Sequence, residues 1–165
     1  MTTEELATKI VAILTEHRQT LALAESLTGG LLCAQLVAVP GASAVLNGAV
    51  VAYNTAIKNQ VLGVDASLLA IHGTVHPDVA AHMATGVRGV LGVGEQQSTY
   101  GLATTGVAGP ESHEGKIPGT VFIGFAATNF VETRDFEFTG DRTEVRMQAV
   151  HAALECLYEH IAENN

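Results

Sequence analysis

The sequence predicts an α/β domain built on a mixed, partly parallel sheet with helices on both faces. Three observations carry this reading. Short apolar runs alternate with helical apolar spacing through the first half of the chain. Two later strand-like segments, 120–127 and 130–138, are joined by a turn at Thr128 and Asn129 and read as a β-hairpin. A chain of 165 residues that is 47% apolar can bury a core without disulfides or metal.

Each element has a local reason. Thr2 and Glu5 have the spacing of a capping box, and Leu6, Ile10, Ile13 and Leu14 recur at helical spacing, so residues 3–18 read as an amphipathic helix. Residues 20–24 are a short apolar run, a buried strand. A helix over 29–39 is stopped by Pro40 and Gly41. Residues 47–53, rich in Val and Ala, form a second strand. Asn54 can cap a short helix over 55–62, and Asp65 or Ser67 can start another that ends before Gly73. Pro77 suits the first turn of a helix running to about Val90. Residues 98–104 are a strand, followed by a Gly- and Pro-rich loop over 105–119. After the hairpin, Thr139, Gly140 and Asp141 punctuate the chain. Val150, Leu154, Leu157 and Ile161 then place one face of a long C-terminal helix on the core. There is no internal repeat, low-complexity stretch or linker, so residues 1–165 read as one domain.

Charge narrows the partners. Eight Lys and Arg stand against 17 Asp and Glu, a net charge of −9, which argues against nucleic acid or an anionic membrane as partner. Aromatics are 5% and Trp is absent, so platforms for stacking single-stranded bases are scarce. Residues 27–57 carry no formal charge, but Gly, Pro and Asn-Gly interruptions leave no apolar run long enough to span a bilayer. The acidic N-terminus has no basic leader region, and a cytoplasmic protein is expected. Cys33 and Cys156 lie far apart with no CxxC neighbour and read as small buried hydrophobes in a reducing compartment.

Few residues offer chemistry. Ser26 falls at the carboxyl end of the first strand, where open α/β sheets hold their ligands. The N–H groups of Thr28, Gly29 and Gly30 would crown the next helix and favour an oxyanion or a phosphate. The same serine also suits a plain N-cap, and the segment is not the G-x-S-x-G elbow. Lys58 falls about four positions into a helix, where dipole and burial both favour the neutral amine of a general base; the alternative is a solvated surface lysine. Tyr53, at the end of the preceding strand, could relay a proton or orient the lysine, or simply edge the sheet. Gly106 and Gly109 could expose an anion nest after Thr105, or form an ordinary turn; neither a Walker loop nor a Rossmann fingerprint is present. Arg142 could grip a phosphate, or pair with Asp141 or Glu144. His72 and His76 are not on one helical face, His113 lies in the long loop, and no HExxH or Cys/His cluster suggests a metal.

Taken together the segments resemble the CinA C-terminal domain family, whose characterised enzymes are nicotinamide-nucleotide amidohydrolases. The matching pieces are AESLTGG at 24–30, VPGAS at 39–43, GAVVAYN at 48–54, Lys58, LGV at 62–64, TGVAGP at 105–110, GTV at 119–121 and GDR at 140–142. The resemblance implies a three-layer α/β/α sandwich and a serine amidase acting on nicotinamide mononucleotide. It implies Ser26 as nucleophile, Lys58 as its base and Tyr53 as an assistant. Thr105 and the glycines after it would line the pocket, and Arg142 would contact substrate. No metal or other cofactor is implied. A non-catalytic nucleotide-binding module, or an amidase for another small amide, are the alternatives. Leu27 stands where many relatives have Cys, and residues 111–118 differ from the usual Gly-rich version. The length suggests the stand-alone form without the N-terminal domain of longer relatives. Apolar content and the resemblance together suggest a homo-oligomer, a dimer.

Overall fold

The structure is a computed structural model that describes residues 1–164. Its strands are β1 (Leu21–Glu25), β2 (Leu46–Val51), β3 (Tyr100–Gly106), β4 (Thr120–Ala127) and β5 (Phe130–Glu137). They form one sheet in the order β2-β1-β3-β4-β5. The first three strands are mutually parallel, and β3, β4 and β5 pair antiparallel. Helices α1 (Thr3–Glu16), α2 (Leu31–Val37) and α6 (Arg142–Asn164) cover one face. Helix α5 (Pro77–Val90) covers the other, reached through the short α3 (Thr55–Gln60) and α4 (Ala66–His72). The result is the mixed-sheet α/β/α sandwich the sequence implied.

Period-two alternation divides the core. On β1, Leu21 and Leu23 join Leu102, Ile123 and Phe125 under α1 and α6, while Ala22 and Ala24 join Ala103 and Ala126 under α5. The α5 face is floored by small residues, so helix and sheet approach at backbone distance. A Cβ on Gly101 would lie 2.0 Å from the Ala84 carbonyl oxygen, and one on Gly124 would lie 2.2 Å from that of Ala80. On the other face, each large aliphatic side chain buried from water contributes about 1.5–3 kcal/mol.

Several boundaries differ from the sequence reading for local reasons. Gly29 and Gly30 adopt positive φ, so the helix expected over 29–39 starts at Leu31. The third strand ends two residues later than 104, because Thr105 and Gly106 continue the ladder opposite Phe122 and Val121. Asp141 and Glu144 cap α6 reciprocally, each side chain accepting from the other's main-chain N–H at 2.9 and 2.7 Å. No helix among the described residues is long and apolar enough to cross a membrane.

The strand order sets the position of the site. From β1 the chain crosses one way to β2 and then returns over β1 to β3. Open α/β sheets hold ligands at such a reversal, outside the strands' carboxyl ends. Here those ends deliver Ser26, Tyr53 and Gly106 to one cleft of about 630 Å³.

Candidate active site

Ser26 is held from both sides of its peptide. Its N–H donates to the Thr104 carbonyl at 3.1 Å and also approaches the Thr104 hydroxyl at 3.3 Å. Glu25, fully buried, turns its carboxylate back over the start of α2. One oxygen accepts from the Gly30 and Leu32 N–H groups at 3.1 and 3.0 Å, and the other from Cys33 at 3.1 Å.

That cap corrects the expectation for Thr28, Gly29 and Gly30. Two of the amides that would have crowned an open anion site are occupied: Gly30 N–H by Glu25, Gly29 N–H by the Ser26 carbonyl at 3.1 Å. The Thr28 hydroxyl is 2.9 Å from that of Thr104. None of the three lines the cleft. Thr105 is also behind the wall, its hydroxyl donating to the Thr74 carbonyl at 2.8 Å. Ser26, Tyr53, Lys58, Gly106, Gly109 and Arg142 do line it together.

Lys58 sits on the fourth residue of α3 and is only 1% exposed. Its Nζ lies 2.9 Å from Ser26 Oγ, 2.6 Å from the Ala52 carbonyl oxygen and 3.4 Å from that of Tyr53. Burial lowers its pKa from 10.5 to about 8, and the charge of Glu114 opposes that fall. The neutral amine has two N–H groups and one lone pair. Carbonyl oxygens can only accept, so Ala52 and Tyr53 take the two N–H groups and the lone pair is left facing the Ser26 hydroxyl.

Tyr53 touches Lys58 through its main chain. Its side chain is exposed, and the hydroxyl accepts from Arg142 Nη2 at 3.1 Å. This corrects the expectation of a tyrosine hydroxyl working on the lysine. Arg142 also donates through Nη1 to the Gly109 carbonyl at 2.5 Å. It therefore ties α6 to Tyr53 and the 107–109 turn rather than pairing with Asp141 or Glu144, which cap each other.

Residues 3–161 match the CinA C-terminal domain. The chain belongs to this family. It is 47% identical over 153 residues to a CinA-like protein of Frankia casuarinae, covering 93% of this chain and 34% of that protein. It is 40% identical to a putative competence-damage inducible protein of Bacillus pumilus, covering 92% and 35%. The chain thus spans about a third of the length of these curated relatives. Among solved structures, a CinA superfamily protein from Klebsiella pneumoniae aligns with a TM-score of 0.91 at 34% identity, covering 99% of both chains. A competence/damage inducible protein from Agrobacterium tumefaciens aligns at 0.88 and 33%, covering 99% and 96%.

In this CinA-family chain the sequence reading missed the residues that build the turn after Ser26. Arg146 donates to the Leu27 and Thr28 carbonyls at 2.8 and 3.2 Å. Its signal was its place one helical turn after Arg142, on the same side of α6. Glu25 carried a signal too, a carboxylate ending an otherwise apolar strand. Thr74, which lines the cleft from the α4–α5 turn, carried none. The histidines lie elsewhere in role: His72 and His76 stack at 4.4 Å, and His113 lies 2.8 Å from Glu114. No group of three or more His, Cys, Asp or Glu among the described residues is arranged to hold a metal. Burial raises the thiol pKa of both Cys33 and Cys156, the latter to about 11.

Proposed function

We propose that this CinA-family chain hydrolyses the carboxamide of nicotinamide mononucleotide, giving nicotinate mononucleotide and ammonia. The observation that carries the reading is the 2.9 Å contact between Ser26 Oγ and a buried Lys58 amine of lowered pKa. Neutral Lys58 takes the hydroxyl proton as Oγ bonds to the carboxamide carbon. The tetrahedral intermediate collapses, the C–N bond breaks, and the Lys58 ammonium returns its proton to the leaving nitrogen. Water, deprotonated by the same amine, then cleaves the ester and frees Ser26.

The oxyanion is assigned to the Ala108 and Gly109 main-chain N–H groups on the cleft wall, because Glu25 occupies the α2 amides and the Val107 N–H donates to the Thr120 carbonyl at 2.9 Å. One such donor is worth about 2.7–4 kcal/mol in comparable sites. Arg142 uses one N–H on Gly109 and one on Tyr53, which leaves part of its fork for the 5′-phosphate of an otherwise repelled anion.

The test is ammonia release from nicotinamide mononucleotide by the purified protein, with nicotinate mononucleotide identified as product. Ser26→Ala is expected to stop release without unfolding the chain, and full activity in that variant overturns the nucleophile assignment. Release only from other small amides would reassign the substrate. Tight binding with no release would favour a nucleotide-binding module.

A further inference from the structure

The turn after Ser26 is held by two side chains of opposite charge. Glu25 takes N–H groups at its far end, from Gly30, Leu32 and Cys33. Arg146 takes the carbonyls at the near end: Nε donates to Leu27 at 2.8 Å and Nη2 to Thr28 at 3.2 Å. The Thr28 carbonyl also accepts from the Leu31 N–H at 3.0 Å. The Leu27 carbonyl accepts from no other group among the described residues, and Leu27 is 5% exposed. A buried carbonyl stripped of its partner is costly, so the peptide turns to find another. That peptide begins one residue after Ser26.

The seat of the guanidinium is specific. Gly29 has φ +58°, and a Cβ there would lie 3.2 Å from Arg146 Nη2, so the bare glycine lets the fork reach the turn. Arg146 stands one helical turn after Arg142 on α6, and the two reach different places. Arg142 goes to Gly109 and Tyr53 and lines the cleft; Arg146 holds its turn from outside the cleft. Ser26 is itself fixed by its N–H on Thr104, by Oγ at 2.9 Å from Lys58 Nζ, and by its carbonyl, which accepts the Gly29 N–H. A shift of Leu27 or Thr28 therefore disturbs the turn that the Ser26 carbonyl closes.

We propose that Arg146 is a positioning residue for Ser26: by fixing the Leu27 and Thr28 carbonyls it keeps Oγ against the Lys58 amine, without touching substrate. The proposal rests on the reading of Ser26 as a nucleophile. A reacting atom displaced by ~1 Å loses about 10²-fold in rate, so loss of the clamp falls on kcat rather than on substrate binding. Arg142, which reaches the cleft, is the opposite case.

The test is Arg146→Gln in the purified protein. With nicotinamide mononucleotide, kcat per folded molecule is expected to fall about 10²-fold while KM stays within about threefold of wild type. Arg146→Lys keeps the charge and a donor but not the fork, and is expected to recover about tenfold of that loss. A purely structural role would instead cost folded protein in a thermal melt and leave the folded remainder turning over normally. A second readout needs no amide. With a fluorophosphonate probe, Oγ bonds to phosphorus, the P–F bond breaks, fluoride leaves and the hydroxyl proton passes to Lys58. Mass spectrometry reads the adduct on Ser26, and its formation is expected to slow by about tenfold or more in Arg146→Gln. Slowed labelling beside a wild type that releases no ammonia sinks the amidase reading and leaves the proposal standing. A wild-type rate in folded Arg146→Gln, in either readout that wild type supports, overturns the proposal, as does a raised KM with kcat unchanged. Wild-type protein that neither forms the adduct nor releases ammonia overturns both readings. If the glutamine variant does not fold, Arg146→Lys takes the same measurements, and rates equal to wild type overturn the proposal.

Discussion

Glu25 and Lys58 are both buried at the carboxyl end of the parallel strands, and their surroundings treat them in opposite ways. Glu25 sits at the positive end of α2 and accepts three N–H groups. Every one of those contacts satisfies a carboxylate oxygen, and its work is finished in holding the turn. Lys58, on the fourth of the six residues of α3, is buried away from water, and two of its three partners are carbonyl oxygens that also suit a neutral amine. One buried charge is satisfied and structural. The other is held short of satisfaction, and that shortfall points at Ser26.

Substitutions can break the comparison. The largest effect is expected on turnover: Ser26→Ala and Lys58→Met should each lower kcat by at least about 10³-fold in an ammonia assay, the scale of lost nucleophile or base. Both should unfold no earlier than a few degrees from wild type in a thermal melt. Glu25→Ala should do the reverse in the melt. Leaving three amides without their acceptor costs about 2–4 kcal/mol, read as a drop in denaturant midpoint. If Glu25→Ala melts normally and Lys58→Met collapses, the contrast is wrong.

A smaller effect separates binding from chemistry. Arg142→Lys keeps a charge but loses the fork, and should raise KM about tenfold while kcat falls less. An equal fall in kcat would move Arg142 into the chemical step.

The smallest effect is on stability against pH, and its sign follows from the lysine. The folded pKa of about 8 lies below 10.5, so between those values the unfolded chain binds more protons than the native one. Wild-type stability should therefore gain from Lys58 as pH rises from 8 towards 10.5, and bear the full penalty below 8. That penalty is roughly 3 kcal/mol at most. Lys58→Met removes it, so the variant should match or exceed wild type at pH 7 in urea unfolding, with the advantage shrinking by pH 10.

Much of this was legible in the residues. Pro77 starts α5 and the helix ends at Val90, the bounds the sequence reading gives it, and the proline that marks its start is a local signal. The hairpin turn at Thr128 and Asn129 is local in the same way. The end of β3 was misjudged because its last two rungs depend on Val121 and Phe122, far along the chain. Thr28, Gly29 and Gly30 read as an open anion site because the one hint to the contrary, a carboxylate ending the apolar β1, does not say that Glu25 folds back over them. The pairing of Ser26 with Lys58 rested on resemblance; the residues alone supplied two separate candidates 32 positions apart. The sequence offers Arg142 either a phosphate or the neighbouring carboxylates, and its contacts with Gly109 and Tyr53 are neither, because both partners lie far away along the chain.

The most direct measurement is kcat/KM for ammonia release from nicotinamide mononucleotide between pH 6 and 10. A Lys58 amine acting as base on Ser26 predicts a rate that climbs with pH and levels off above a midpoint near 8. A rate indifferent to pH across that range, or one still climbing steeply at pH 10, would mean that this amine is not the base.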